Sequence, residues 1–133
     1  MSGAVLLDTD VFSFLAKRDT RGAWYASKLG TSERVISFMT VGELRAWAIL
    51  RRWSDARRAN LEALIASHLV LIPDDRTTTV WAEIHSERRR KGQPIECGDC
   101  WIAATAVRHG LVLATHNRGH YEGVAGLSLM TDG

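Results

Sequence analysis

Acidic side chains stand at three separated places in the sequence, each next to a run of apolar residues. Asp8 and Asp10 follow the first apolar run, Glu43 follows the second by one helical turn, and Asp99 precedes a late apolar segment. A carboxylate at the end of an apolar run costs solvation free energy unless a cation or hydrogen-bond donors meet it. Carboxylate oxygens are also the ligands that Mg2+ and Mn2+ prefer. These acids are therefore candidates for a shared divalent-cation site, provided that the fold brings them together.

The same acids have local structural interpretations. We expect Asp10 to cap a helix that begins at Val11, because aspartate is favoured at the N-cap. Thr40 and Glu43 have the spacing of a capping box, with Thr40 at the N-cap and Glu43 at N3. Asp99 is expected in the first turn of a helix, where the helix dipole favours a negative charge. For Glu43 and Asp99 the structural and functional interpretations both stay open.

Sulfur chemistry is the alternative that the late segment raises. Cys97, Cys100, His116 and His120 fit the pattern C-x2-C-x15-H-x3-H, which is close to a zinc-site spacing. The order of elements argues against zinc, because the cysteines lead into a helix and the histidines follow a strand. A redox pair at a helix N-terminus is a second option, but the acids beside the cysteines disfavour a thiolate. We expect both cysteines to be small, half-buried packing residues.

Short apolar runs predict strands, and helix-period patterns predict the helices between them. The expected strands are AVLL (4–7), VISF (35–38), LVLI (69–72) and LVLA (111–114), with an edge strand in GLSLM (126–130). The expected helices cover 41–52, 54–68, 75–91 and 101–109. Continuous apolar strands alternating with helices predict a three-layer α/β/α domain with a central parallel sheet of four or five strands. In such a sheet the ligand site lies at the carboxyl ends of the strands, where the acids collect.

Composition limits the class of protein. The 133 residues, 46% of them hydrophobic, suit a single domain over 1–133 with its own core. No apolar window reaches the ~18 residues of a membrane helix, and only two cysteines occur, so we expect a soluble cytoplasmic protein without a membrane partner. The net charge is +2. The basic residues form two clumps that could hold a polyanion, although from charge alone solvated helix faces are the simpler interpretation: Arg51, Arg52, Arg57 and Arg58, then Arg88, Arg89, Arg90 and Lys91.

Four segments taken together resemble the PIN domain family, and within it the toxin ribonucleases of VapBC toxin–antitoxin systems. The segments are LLDTDVFSFL, TVGEL, GQPIECGDCWIAATA and LATHNRGHYEGVAGL, which span nearly the whole chain. By this resemblance the family's first acid falls on Asp8, its T-x-x-E glutamate on Glu43, and its D-x-x-I-A-A-x-A aspartate on Asp99. Glu96 matches an acid often found just before the last motif.

The fourth acidic position of the family departs from the pattern in this chain. Where many relatives have an acid within T-x-D-x-x-F, this sequence has Thr115, Asn117 and Tyr121, with His120 where a second acid can occur. Asn117 can ligate or orient a water but brings no charge. One or two metal ions are therefore both compatible with the sequence.

The resemblance implies a metal-dependent endoribonuclease that acts as the toxin of a type II toxin–antitoxin pair. Asp8 and Asp99 would hold Mg2+ or Mn2+, Glu43 would position or deprotonate the attacking water, and Asn117 with Glu96 would complete the outer shell. The implied partners are an RNA substrate, a VapB-type antitoxin that covers the site, and a second toxin copy in a homodimer.

Two other functions are kept as alternatives. VLLDTDV also resembles the first motif of haloacid dehalogenase-type phosphatases, with Asp8 as nucleophile and Asp10 as general acid. That family then needs a lysine followed by an acidic pair, and no lysine occurs between Lys28 and Lys91. The second alternative is a PIN-like RNA-binding module that has no catalytic activity.

Overall fold

A computed structural model describes residues 3–132 of the chain. The strands are β1 Ala4–Leu7, β2 Glu33–Ser37, β3 Leu69–Leu71, β4 Val112–Ala114 and β5 Leu129–Met130. The helices are α1 Thr9–Lys17, α2 Thr20–Leu29, α3 Phe38–Leu50, α4 Asp55–Ala66, α5 Asp75–Arg90, α6 Cys97–His109 and α7 Arg118–Tyr121. Among these described residues, no helix combines the length and the apolarity needed to cross a membrane.

The strands form one parallel sheet in the order β3-β2-β1-β4-β5. β1 lies at its centre, where Leu6 is paired with Val35 of β2 on one side and with Leu113 of β4 on the other. The strand order reverses between β1 and β4, and the carboxyl ends of those strands are where a ligand site is expected. The predicted sheet is confirmed, including the edge strand in GLSLM.

Alternating side chains of β1 contact two separate hydrophobic cores. Leu6 packs into a core with α5 and α6, whereas Val5 and Leu7 pack into a core with α1 to α4. Small side chains of α6 from Ala103 to Ala106 are almost completely buried, which brings that helix close to the sheet. Both faces of the sheet are covered, as the three-layer prediction requires.

The predicted starts of α1 and α3 are wrong, because the N-caps lie earlier than expected. Asp8, in an extended conformation, caps α1 by accepting a hydrogen bond from the Thr9 amide, so Asp10 lies inside the helix. Ser37 caps α3 and accepts from the Thr40 amide at 3.2 Å. Asp8 directly follows β1 and Ser37 is the last residue of β2, so each helix begins without an intervening loop.

The late helix also begins earlier than predicted, at Cys97 rather than near Trp101. Asp99 is therefore the third residue of α6 and points from its first turn. Glu96 is the N-cap by backbone conformation, but its side chain makes no capping hydrogen bond. Helices α2 and α7 were not predicted from the sequence. The short helix α7 places His120 and Tyr121 beside the start of α6.

Candidate active site

Asp8 is the buried acid at the centre of the candidate site. Its side chain is 4% exposed, and its backbone N–H donates to the Ala114 carbonyl at 2.9 Å, which continues the pairing of β1 with β4. One carboxylate oxygen accepts from the Thr9 amide at 2.8 Å, and the other accepts from the Thr115 hydroxyl at 2.8 Å. Asp8 is therefore fixed by the end of β4 and by the first residue of α1.

Thr9 connects Glu43 to Asp8, because its hydroxyl binds Glu43 and its amide binds Asp8. The Thr9 hydroxyl donates to Glu43 Oε1 at 3.0 Å and lies 2.9 Å from the Thr40 hydroxyl. The predicted capping box is wrong: Ser37 is the N-cap, Thr40 is fully buried, and the Glu43 carboxylate binds Thr9 of α1 instead of the start of its own helix. The T-x-x-E spacing therefore serves to place Thr40 and Glu43 on the face of α3 that contacts α1.

Asp99 approaches from the opposite layer and is held by residues of α7. Tyr121, which is 1% exposed, donates from its hydroxyl to Asp99 Oδ1 at 3.2 Å. The other carboxylate oxygen lies 3.1 Å from Nδ1 of the exposed residue His120. Both oxygens of Asp99 therefore have partners from the short helix that sequence reasoning did not predict.

Asn117 follows β4, and its side chain contacts Asp10 rather than Asp8, Glu43 or Asp99. Its backbone N–H donates to the Thr115 hydroxyl at 3.0 Å, and its side-chain Nδ2 donates to Asp10 Oδ2 at 2.5 Å. Asp10 was predicted to be a helix cap; this prediction is wrong, since Asp8 caps α1 and the Asp10 side chain is available for Asn117.

Burial and the neighbouring negative charges raise the pKa values of the three acids. Burial raises the pKa of Asp8 to about 6, and the charges of Asp99 and Asp10 add to the rise against two opposing hydrogen bonds. Burial also raises the pKa of Glu43, with contributions from Asp8, Asp99 and Asp10. The pKa of Asp99 is raised by burial and by Glu96, while His120 and Tyr121 oppose the rise. Acids whose charges disfavour one another within a buried site are the arrangement that a cation would stabilise.

Tyr121 takes part in this network as a neutral donor. Burial, together with the charges of Asp8 and Asp99, raises the pKa of the Tyr121 hydroxyl well above its ordinary value. It therefore keeps its proton and can offer a hydrogen bond to a carboxylate. Tyr121 contacts Asp99 across 22 residues of sequence, and no motif in the sequence indicated this donor.

The donor set fits a hard divalent cation in its chemistry. Asp8, Glu43 and Asp99 offer carboxylate oxygens near the carboxyl ends of β1 and β4. Carboxylate oxygens are the type of ligand that Mg2+ and Mn2+ take. Within residues 3–132, however, no three histidine, cysteine, aspartate or glutamate side chains are gathered closely enough to define an ion position. Each carboxylate oxygen named above is instead directed to a hydroxyl, an amide or a histidine.

The alternative zinc set is not assembled in the described part of the chain. Cys97 is exposed and Cys100 is buried, with its thiol 3.6 Å from the Trp81 carbonyl. His116 lies 2.9 Å from Asp132, and His120 lies beside Asp99. Burial raises the pKa of Cys100 to about 11, which disfavours its thiolate. Cys100 is buried and serves packing, whereas the prediction that Cys97 is a half-buried packing residue is wrong, because Cys97 is exposed.

The basic clumps divide into structural and exposed arginines. Arg88 is 7% exposed and donates to the carbonyls of Gln93 and Glu122, and Arg58 donates to those of Trp53 and Ala48. Other members of the two clumps are exposed, and two of them lie over tryptophan rings: Arg51 over Trp47 and Arg57 over Trp53. Arg88 is therefore removed from the set of candidate RNA contacts, whereas Arg58 is exposed and stays in it.

The parallel α/β/α fold, with acids at the carboxyl ends of its strands, defines a class of protein, and comparison with known proteins gives the same class. A PIN domain family model matches residues 5–126, and the chain belongs to this family.

Three known proteins show which members of the family the chain is similar to. The chain is 32% identical to the plasmid stability protein StbB of Pseudomonas syringae pv. tomato, over 95% of this chain and 96% of that protein. It is 29% identical to the tRNA(fMet)-specific endonuclease VapC of Shigella flexneri, over 92% of each. Among solved structures it is similar to the DNA-bound VapBC complex from Salmonella typhimurium, with a TM-score of 0.80, 30% identity, and coverage of 96% of this chain and 97% of that one.

Proposed function

We propose that this protein is a divalent-metal-dependent endoribonuclease and the toxin of a type II toxin–antitoxin pair. The observation that carries the proposal is that Asp8, Glu43 and Asp99 come from three elements to the carboxyl ends of the strands, where Thr9 contacts both Asp8 and Glu43, and Tyr121 contacts Asp99. The similarity to an endonuclease named VapC supports RNA as the substrate. Because the proposed substrate is cellular RNA, we infer that the protein acts in the cytoplasm.

The residues take distinct roles in this proposal. Asp8 and Asp99 would hold Mg2+ or Mn2+, which when bound neutralises phosphate charge and makes water a better nucleophile. Glu43, with its pKa raised mainly by burial, is suited to accept a proton from the attacking water. Asn117 and Glu96 would orient the outer shell, and Thr115 and Tyr121 would hold the two metal-binding carboxylates in place.

The partners follow from the same family. The similarity to a VapBC complex supports a VapB-type antitoxin as the binding partner, and we also propose a homodimer of single-domain chains over 1–133. The exposed arginines of the two clumps are the candidates to contact the RNA backbone. The family match favours a ribonuclease over the phosphatase alternative.

The test is an RNA-cleavage assay with Mg2+ or Mn2+, with and without a chelator. We expect Asp8→Asn and Asp99→Asn each to reduce the cleavage rate by about a hundredfold or more, because a bound cation supplies several kcal/mol of transition-state stabilisation. A double Cys97→Ser, Cys100→Ser variant should cut at the wild-type rate. Circular dichroism of each variant checks that the fold is kept.

Four results would contradict the proposal. Cleavage that survives both aspartate changes, or that is lost only with the cysteines, would exclude the carboxylate site. Retention of RNA in a gel-shift assay without any cutting would identify a binding module. Release of phosphate from p-nitrophenyl phosphate without RNA cleavage would identify a phosphatase.

A further inference from the structure

Asp10 and Asn117 form a hydrogen-bonded pair at the border of the candidate site. Asp10 lies in the first turn of α1, and Asn117 lies between β4 and α7. Asn117 Nδ2 donates to Asp10 Oδ2 at 2.5 Å, and both side chains are partly buried. The Asn117 backbone is itself fixed by the Thr115 hydroxyl, which also binds Asp8. The pair is therefore built into the same network as the central acid.

Asp10 stands two residues after Asp8 in the first turn of α1, and its side chain binds Asn117, which follows β4 on the same side of the site. A helix-dipole role alone would not explain this placement. Asp55 also lies in the first turn of a helix, α4, but on an exposed surface.

A carboxylate and an amide that share one hydrogen bond carry one negative charge, whichever position holds the carboxylate. Position 117 is where the T-x-D pattern has an acid, and here the amide at 117 binds a carboxylate at 10. We propose that Asp10 supplies the fourth carboxylate of the cation site, with Asn117 as the residue that positions it. This inference rests on the proposed function, because it concerns the same divalent cation.

The experiment exchanges the two residues. Four proteins are compared: wild type, Asp10→Asn, Asn117→Asp, and the double variant with both changes. Mn2+ binding to the metal-free proteins is measured by isothermal titration calorimetry, and RNA cleavage is measured as a function of Mg2+ concentration. Asp55→Asn is the matched control, since it removes an acid from a first helical turn away from the site.

We expect Asp10→Asn to weaken Mn2+ binding by about tenfold or more, the range found when groups that support metal ligands are removed. The double variant should regain most of the lost affinity, because the pair again carries one carboxylate and one amide. Asn117→Asp places two carboxylates against each other, so its melting temperature in chelator should fall while Mn2+ raises it more than in the wild type. Asp55→Asn should bind Mn2+ as the wild type does.

Two outcomes overturn the inference while leaving the proposed function intact. Either Asp10→Asn binds Mn2+ as tightly as the wild type, or the double variant binds no better than Asp10→Asn. If Asp10→Asn does not fold, the double variant alone decides by the same comparison with the wild type. If the wild type neither binds Mn2+ nor cuts RNA, the proposed function fails and this inference fails with it.

Discussion

Asp8 has to satisfy two requirements that oppose each other. A buried carboxylate reduces the free energy of unfolding, whereas a cation site needs its charge. The hydroxyl of Thr115 and the amide of Thr9 offset part of this cost, but burial still holds the pKa of Asp8 at about 6. Folding stability should therefore depend on the protonation of this one residue.

We expect the metal-free protein to lose stability as the pH rises from about 4 to about 6. In that window the folded state binds a proton at Asp8 that the unfolded state has already released, so stability is greatest below the unfolded pKa and is lost as the pH passes the folded pKa. The shift corresponds to about 3 kcal/mol at most. Urea unfolding in chelator should show Asp8→Asn to be more stable than the wild type at pH 7, although its RNA cleavage is expected to be strongly reduced.

The control for this prediction is the same titration with Mg2+ present, in which the difference between the two proteins should narrow. A wild type as stable as Asp8→Asn at pH 7 in chelator would show that the buried charge is not costly.

At the scale of single residues, the sequence allowed the three acids to be predicted but not their partners. Asp8, Glu43 and Asp99 could be identified because each stands in a motif beside an apolar run. Asp10 could not be identified, because an aspartate that caps a helix and an aspartate in a site have the same local sequence until the first residue of the helix is known. Tyr121 is bound to Asp99 across 22 residues, and nothing in its immediate sequence indicates that contact.

Helices α1 and α2 pack closely enough that one position between them tolerates no side chain. A Cβ on Gly22 would overlap the backbone carbonyl of Phe14, whereas a Cβ on Gly42 of α3 would meet no atom within 4 Å. The two glycines therefore form a natural pair for testing how the helices are positioned.

Gly22→Ala should lower the free energy of unfolding by about 1–3 kcal/mol, because backbone atoms have to move to relieve the overlap. Gly42→Ala should raise it by about 0.5–1 kcal/mol, since alanine favours the helix and no clash results. Urea unfolding of both variants measures the difference. Equal effects of the same sign would show that α1 and α2 do not approach at Gly22 as described.

At the scale of elements, the strands and the starts of α4 and α5 were predicted closely, whereas the starts of α1, α3 and α6 were not. β1 was predicted with its observed bounds, because a fully buried parallel strand is a continuous apolar run. α1 and α3 begin directly after the capping residues Asp8 and Ser37, without the loop that the apolar pattern suggested. Periodicity alone does not reveal a cap that lies at the end of a strand or directly after it.

The whole molecule brings together acids from distant parts of the chain. Asp8 follows the central strand and Asp99 belongs to α6 in the opposite layer, so a cation bound by both would connect the two sides of the sheet. Binding to the folded state alone stabilises it by mass action, by about 2.7 kcal/mol at a hundredfold excess over the dissociation constant.

Mg2+ or Mn2+ should therefore raise the melting temperature of the wild type by several degrees, since about 1 kcal/mol corresponds to a few degrees for a chain of this size. Asp99→Asn should abolish the increase. Asp75→Asn, at an exposed helix start, should retain it, and KCl at equal ionic strength should not reproduce it. An increase of the same size in Asp99→Asn would place the stabilising ion elsewhere.

The hydrogen bond between Thr115 and Asp8 joins residues 107 positions apart, and this separation sets an order of events during synthesis. A nascent chain that has emerged only as far as α5 contains Asp8 and Glu43 but lacks Asp99, β4 and the hydroxyl that fixes the central acid. At about 5–20 residues per second, that incomplete state persists for seconds. The candidate catalytic centre is therefore assembled only when the last fifth of the chain leaves the ribosome, so the growing polypeptide cannot present it to nearby RNA.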